Sequence, residues 1–229
     1  MVKLLFLCRR RADLSHVRYA ELLLRGHVPI ALRHHPLMRQ YVVNIVQHSP
    51  ADGDDLDSIG ELHFDNVADF RERLYDSPAG EQIVRRDVQG FMGGADAYAT
   101  TEHIQKAANP TAALGARSPG VKLVCPIRRR PDRTHEQFVD HWLKHHVPLA
   151  LRHHPGLTKY VTNVVDQRLS ASAPELDGIA ELHFGGAGER PPAMFESLEG
   201  ERVIRKDIAR FIDHTVAYRV AEYVQKVAA

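Results

Sequence analysis

Val2 to Arg9 is an apolar run of strand length, and the polar residues after it end in Ser15, a residue type that caps helix N-termini. Beyond the cap, apolar positions fall four apart. The stripe is clearest in a second occurrence of the same pattern, where Thr134 is the cap, Glu136 and Gln137 lie in the first turn, and Phe138, Trp142 and His146 follow. Tyr19, Leu23 and His27 take the matching places in the first occurrence. Residues at i, i+4 and i+8 share one helix face, so each histidine continues an apolar stripe inward. Pro29 and Pro148 disfavour helical geometry at the valine before them. This predicts that the helix ends near the histidine, that a short second helix starts at the proline, and that Pro36 and Pro155 stop it.

Arg39 to His48 and Lys159 to Arg168 are rich in β-branched and aromatic residues and read as strands. Asp57 to Asp65 reads as another, carrying Glu-Leu-His-Phe. An amphipathic helical region covers Val67 to Met92 with an interruption near Ser77-Pro78, and Ala95 to Lys106 closes the unit as a strand. The order is β-α-β-β-α-β, the ferredoxin-like arrangement.

The unit occurs twice. His27-Val28-Pro29-Ile30-Ala31-Leu32-Arg33-His34-His35-Pro36 returns as His146-Val147-Pro148-Leu149-Ala150-Leu151-Arg152-His153-His154-Pro155 with one conservative change. Val2-Lys3-Leu4 returns as Val121-Lys122-Leu123, and the triplet Arg9 to Arg11 as Arg128 to Arg130. Glu61-Leu62-His63-Phe64 returns as Glu181-Leu182-His183-Phe184, after one inserted residue. A period of roughly 120 residues excludes a solenoid and indicates two small domains, residues 1–107 and 121–229. Residues 108–120, with Asn-Pro, Leu-Gly and Ser-Pro-Gly, read as the linker. A four-stranded sheet with helices on one face leaves its other face open, and the second copy is placed to cover it. The expected fold class is α+β: two tandem repeats closing one barrel as an internal pseudo-dimer, with a further homodimer left open.

Composition adds exclusions more than assignments. With 44% hydrophobic and 26% charged residues the chain reads as an ordinary soluble globular protein. Its net charge of +1 gives no electrostatic case for nucleic acid or an anionic membrane. No apolar run is long enough to span a bilayer, and Met1 to Cys8 lacks the preceding basic residues of a signal peptide. Cys8 and Cys125 occupy non-equivalent repeat positions and read as reduced core residues of a cytoplasmic protein. The arginine triplets are either a solvated loop or the rim of an anion-gathering pocket.

Several residues carry candidate chemistry. His27 and His146 sit on a buried face near a helix C-terminus, where an imidazole is a natural general acid or base; the plain alternative is a core histidine bonded to backbone. Tyr41 and Tyr160 offer phenols for a developing oxyanion, or aromatic bulk for the barrel. Glu61 and His63, like Glu181 and His183, stand two apart on a strand and so share a face, with Leu62/Phe64 and Leu182/Phe184 on the other. A carboxylate beside an imidazole can fix its tautomer and raise its basicity. Arg33 and Arg152 are candidates for holding a substrate carboxylate, against a surface salt bridge as the alternative. His141 and His145 are four apart, but no third ligand is spaced to join them, so no metal site is expected. There is no Gly-x-Ser-x-Gly elbow and no phosphate-cradling glycine loop.

The strand ending in Arg-Arg, the helix Phe138-x-x-x-Trp142-x-x-x-His146-x-Pro148 and the strand Tyr160-x-x-Asn163 resemble the EthD-like family of dimeric α/β barrel proteins. The resemblance covers both copies apart from the linker and is closer in the second, because Leu23 stands where the family commonly has tryptophan. It implies cofactor-independent chemistry on small oxygenated aromatic or polyketide-like molecules: lactone isomerisation, cyclisation, decarboxylation or dehydration. In the methylmuconolactone isomerase branch a histidine and tyrosine at these places act on substrate. The resemblance also draws Trp142, Asn44 and Asn163 into the candidate substrate site, whereas an aromatic often replaces the histidine of Glu-x-His. The leading expectation is therefore a lyase or isomerase without a cofactor. The alternatives are a haem- or oxygen-using barrel monooxygenase and a non-catalytic small-molecule-binding module, since fold alone names no function.

Overall fold

The computed structural model describes residues 1–48, 53–108, 112–185 and 193–228. The first half runs β1 (Val2–Arg10), α1 (His16–Glu21), a π-helical segment (Leu22–His27), α2 (Val28–His34), β2 (Gln40–His48), β3 (Ser58–Phe64), α3 (Val67–Glu72), α4 (Pro78–Phe91) and β4 (Met92–Lys106). The second runs β5 (Val121–Arg129), α5 (His135–His141), a π-helical segment (Trp142–His146), α6 (Val147–His153), β6 (Leu157–Arg168), β7 (Gly178–Phe184), α7 (Leu198–Ile208), β8 (Ile212–Thr215) and β9 (Tyr218–Lys226). The helix starts follow from their caps: Ser15 accepts from the Arg18 N–H, and Thr134 forms a reciprocal capping box with Gln137.

One sequence expectation is corrected here. The helix does not end at His27 or His146; the backbone stays helical through Val28 and Val147 into the next element. A π turn carries it across, with the Val28 N–H reaching Leu23 and the Val147 N–H reaching Trp142. The wider turn inserts a residue where the proline ring would crowd the preceding turn, so the missing proline N–H costs no continuity. Its consequence is rotational: the histidine at the end of each π segment is turned toward the following long helix.

Eight strands close an antiparallel barrel in the order β7-β6-β4-β1-β3-β2-β9-β5, with β5 returning to β7 and β8 extending beside β5. The halves are joined at two seams, β2 with β9 and β4 with β6. Within them the registers correspond, Val2 opposite Phe64 and Val121 opposite Phe184. Asn109–Thr111 of the linker lie outside the described residues; the part after it runs along β9, where the Gly115 and Ser118 N–H groups donate to Val224 and Glu222. Gly120 enters β5 at φ +84° with the Phe184 carbonyl 2.3 Å from where a Cβ would stand, so only glycine serves there.

Strand alternation sends one set of side chains to the helices and one into the barrel. Leu4, Val43, Ile45 and Phe64 meet Tyr19, Leu23 and Val28 on the helix side of the first half. Val147, Ala150, Phe138 and Trp142 meet Val164, Ala180 and Phe184 in the second. Inside, Leu5, Leu7, Ile59, Tyr98, Val124, Val165, Ile179 and Tyr218 form an apolar plug shared by both halves. Beside this plug the interior is charged, with Lys3, Lys122, Glu61 and Glu181 buried together. Both cysteines are free, and burial pushes each thiol up to about 12.

Candidate active site

The π turn aims His27 at α4, where its Nδ1 lies 2.8 Å from Asp87 Oδ2 and its ring rests 5.4 Å from that of Phe91. His146 does the same in the second half, Nδ1 standing 2.9 Å from Asp207 Oδ2 and the ring 5.2 Å from Phe211. The second carboxylate is held twice, because His141 Nε2 lies 3.0 Å from Asp207 Oδ1. Burial works to raise the Asp207 carboxyl, and the two imidazoles more than offset it, leaving it below the usual carboxylate range. With Nδ1 engaged by a carboxylate, the neutral tautomer carries its lone pair on Nε2, the form a general base needs.

Tyr41 and Tyr160 lie in the same helix-side cores as these histidines. Burial pushes both phenols up, so they stay protonated and able to donate. Trp142 Nε1 donates to the Tyr160 hydroxyl at 3.1 Å, which places tryptophan as the support of that phenol.

Glu-x-His is arranged differently from the expectation. Glu61 and His63 do share the inner face, but Glu61 orients no histidine: it meets Lys3 at 2.8 Å and Lys122 at 2.5 Å. Glu181 likewise meets Lys3 at 2.5 Å and Lys122 at 2.9 Å, so each carboxylate takes one lysine from either half. His63 Nε2 stands 3.7 Å from Glu102, and His183 Nε2 stands 3.8 Å from Glu222. Burial, aided by Lys122, pushes the His183 imidazole down to about 4. The physical reason is register: Lys3 lies opposite His63 and Lys122 opposite His183, and their long stems bring both ammonium groups to the barrel centre. Asn44 and Asn163 belong to this network too, donating to Glu61 at 2.7 Å and Glu181 at 2.8 Å. Arg33 and Arg152 are exposed on α2 and α6.

Sequence reading thus missed Asp87, Asp207, Lys3 and Lys122. A usable signal existed for each. Both lysines recur in the repeated Val-Lys-Leu, and both aspartates end the parallel segments Ile83-Val84-Arg85-Arg86-Asp87 and Val203-Ile204-Arg205-Lys206-Asp207.

Residues 130–215 match the EthD domain, which spans most of the second half's helix layer and β6–β7. No curated protein matches the chain. Among solved structures the chain is similar to an anthrone oxidase-like protein, at 9% identity and a TM-score of 0.63, covering 100% of this chain and 95% of that one. It is also similar to a putative monooxygenase from Fusobacterium nucleatum subsp. nucleatum ATCC 25586, at 8% identity and a TM-score of 0.56, covering 99% and 93%. At these identities the likeness establishes the fold, an α+β barrel. Among the described residues no helix is long and apolar enough to cross a membrane.

Proposed function

We propose that this protein is a cofactor-independent lyase or isomerase acting by histidine–tyrosine acid–base chemistry on a small oxygenated aromatic or polyketide-like molecule. Its reaction is a decarboxylation, dehydration, cyclisation or lactone isomerisation. It arose by tandem duplication of a ferredoxin-like unit, residues 1–107 and 121–229 joined by 108–120, and works as an internal pseudo-dimer in the cytoplasm, with neither nucleic acid nor membrane as partner.

One observation carries the reading. In both halves an aspartate from the long helix engages Nδ1 of the histidine that ends the π segment, at 2.8 Å for His27 and 2.9 Å for His146. An aspartate-oriented imidazole is the arrangement that removes a proton next to a carbonyl, and the carboxylate steadies the imidazolium that results. A protonated tyrosine donates to the enolate-like oxygen as charge develops there. The second half is the working site, because Asp207 holds two imidazoles and Tyr160 is supported by Trp142. In this role His63, His183, Glu61 and Glu181 set the charge of the barrel centre and do not touch substrate.

The test is turnover in a screen of lactones, β-keto acids and hydroxylated aromatics. Removing a general base typically costs about 10²–10⁴-fold, so His146→Ala should lose that much activity and His27→Ala far less. A His27→Ala/His146→Ala protein that folds and retains full turnover would overturn the mechanism.

A further inference from the structure

A second histidine–aspartate pair recurs in each half, at the end of the barrel. Asp57 and Asp177 stand just before β3 and β7, and the arginine triplets stand beside them. The backbone N–H of Arg10 donates to Asp57 at 2.8 Å and that of Arg129 to Asp177 at 2.9 Å. The guanidinium groups follow, Arg10 at 2.7 Å and Arg129 Nε at 3.0 Å from the same carboxylates. The remaining contact is an imidazole: His16 Nδ1 at 2.8 Å from Asp57 and His135 Nδ1 at 3.0 Å from Asp177. Each aspartate also anchors itself, its own N–H donating to Cys8 or Ile127. Nε2 of each histidine has no hydrogen bond among the described residues, and the side chains are 40% and 37% exposed.

The pairs open onto clefts of unequal size. The second-half cleft has a volume of about 760 Å³, and its first-half counterpart about 220 Å³. Small-molecule sites run roughly 300–1,000 Å³, so only the larger qualifies. Its floor is Val165 and Leu176, drawn from the apolar plug, with Pro131 beside them. Its rim carries Arg128, Arg129 and Arg168 against Asp166, Glu175, Asp177 and Asp213, one more carboxylate than guanidinium. Each guanidinium already has a carboxylate: Arg128 with Asp213 at 2.6 Å, Arg129 with Asp177 at 3.0 Å and Arg168 with Glu175 at 3.7 Å, while Asp166 accepts from the Thr101 hydroxyl at 2.8 Å. Such a rim gives an anion no net attraction. It suits hydroxyl groups, which accept from guanidinium and donate to carboxylate, while the apolar floor takes a flat hydrocarbon face.

We propose that the second-half barrel-end cleft binds an uncharged, hydroxylated aromatic molecule, whose hydroxyl donates to His135 Nε2. The site is separate from the His146 site and does not depend on that site's chemistry. The first half has the same three residues with too little room, so it serves as an internal control.

Resorcinol titrated into the full chain, followed by imidazole proton–nitrogen correlations, tests this. The expected result is a saturable shift of the His135 ring with His16 and His146 unmoved. His135→Leu, which removes the Nε2 acceptor, should weaken resorcinol binding about tenfold, the loss of one hydrogen bond. Benzoate should bind at least about tenfold more weakly than resorcinol, the anion lacking a free cation to meet. Absence of saturation, equal movement of His16, full affinity in His135→Leu, or benzoate binding as tightly as resorcinol would each overturn the proposal.

Discussion

The two halves share a polar skeleton but fill the space between helix and sheet in different ways. In the first, Tyr19 and Leu23 belong to the helix-side core, and the Tyr19 hydroxyl meets the Ser58 Oγ at 2.7 Å. In the second, the matching residues are Phe138, Trp142 and Gly178, and a Cβ at Gly178 would lie 2.3 Å from the Trp142 ring. The larger ring occupies the room that serine's side chain takes in the first half. The hydrogen bond moves with it, from Tyr19–Ser58 to Trp142–Tyr160. Leu23 offers Tyr41 no such donor, and Leu22 stands where His141 supports Asp207. In the second half, polar support concentrates around one histidine and one tyrosine.

The barrel centre does not differ between the halves in this way. Lys3 and Lys122 are 2% and 3% exposed and link Glu61 and Glu181 across the halves. Burial favours their neutral forms, yet the surrounding carboxylates hold both lysines above their ordinary value. A buried network of this kind is weak evidence for stability, but removing one member strands the others. Glu61→Ala and Glu181→Ala should therefore each cost about 3–5 kcal/mol in denaturant unfolding. The two losses should match to within about 1 kcal/mol, since each carboxylate holds both lysines. A cost confined to one half would break the idea of a shared skeleton.

Acid should separate the halves next. His183 has a folded-state value of about 4, below its ordinary 6.5, so the unfolded chain binds more protons between those values. Its contribution is full above pH 6.5 and is lost as pH falls toward 4, roughly 3 kcal/mol at most. Against the cost of burial, His63 with Lys3 holds Glu102, and Lys122 with His183 holds Glu222, at about 2, and both add a further loss as pH falls from 4.5 toward 2. His183→Asn should flatten the upper limb of the stability–pH curve and leave the lower limb in place. An unchanged upper limb would place the titration elsewhere.

The smallest effect is the sharpest test of the packing exchange. Gly178→Ser restores the first-half residue against the second-half tryptophan and should cost about 1–3 kcal/mol through overpacking. Adding Trp142→Leu should relieve part of that cost, giving a favourable coupling in a double-mutant cycle. Strictly additive costs would mean that the two positions are not coupled through packing.

The strand alternation and the helix caps were legible because each depends on residues close in sequence. Ser15 and Thr134 cap their helices as read, and Leu62 and Phe64 do face away from Glu61 and His63. The proline break was misread, since local preference at Val28 says nothing of a π turn that absorbs the ring. The candidate site was half legible: the histidines and tyrosines lie on one side of the sheet, but the aspartates that orient the histidines come from another helix.

By itself, then, the sequence determined most strands and helices and which side chains share a face, since periods of 2 and 3.6 are properties of the local backbone. Tertiary structure alone decided which polar groups meet. Lys3 reaches Glu181 only because the barrel closes through seams between the halves. His135 meets Asp177 only because the ends of β5 and β7 lie side by side. Contacts of that range follow from closure and register, which no local preference encodes.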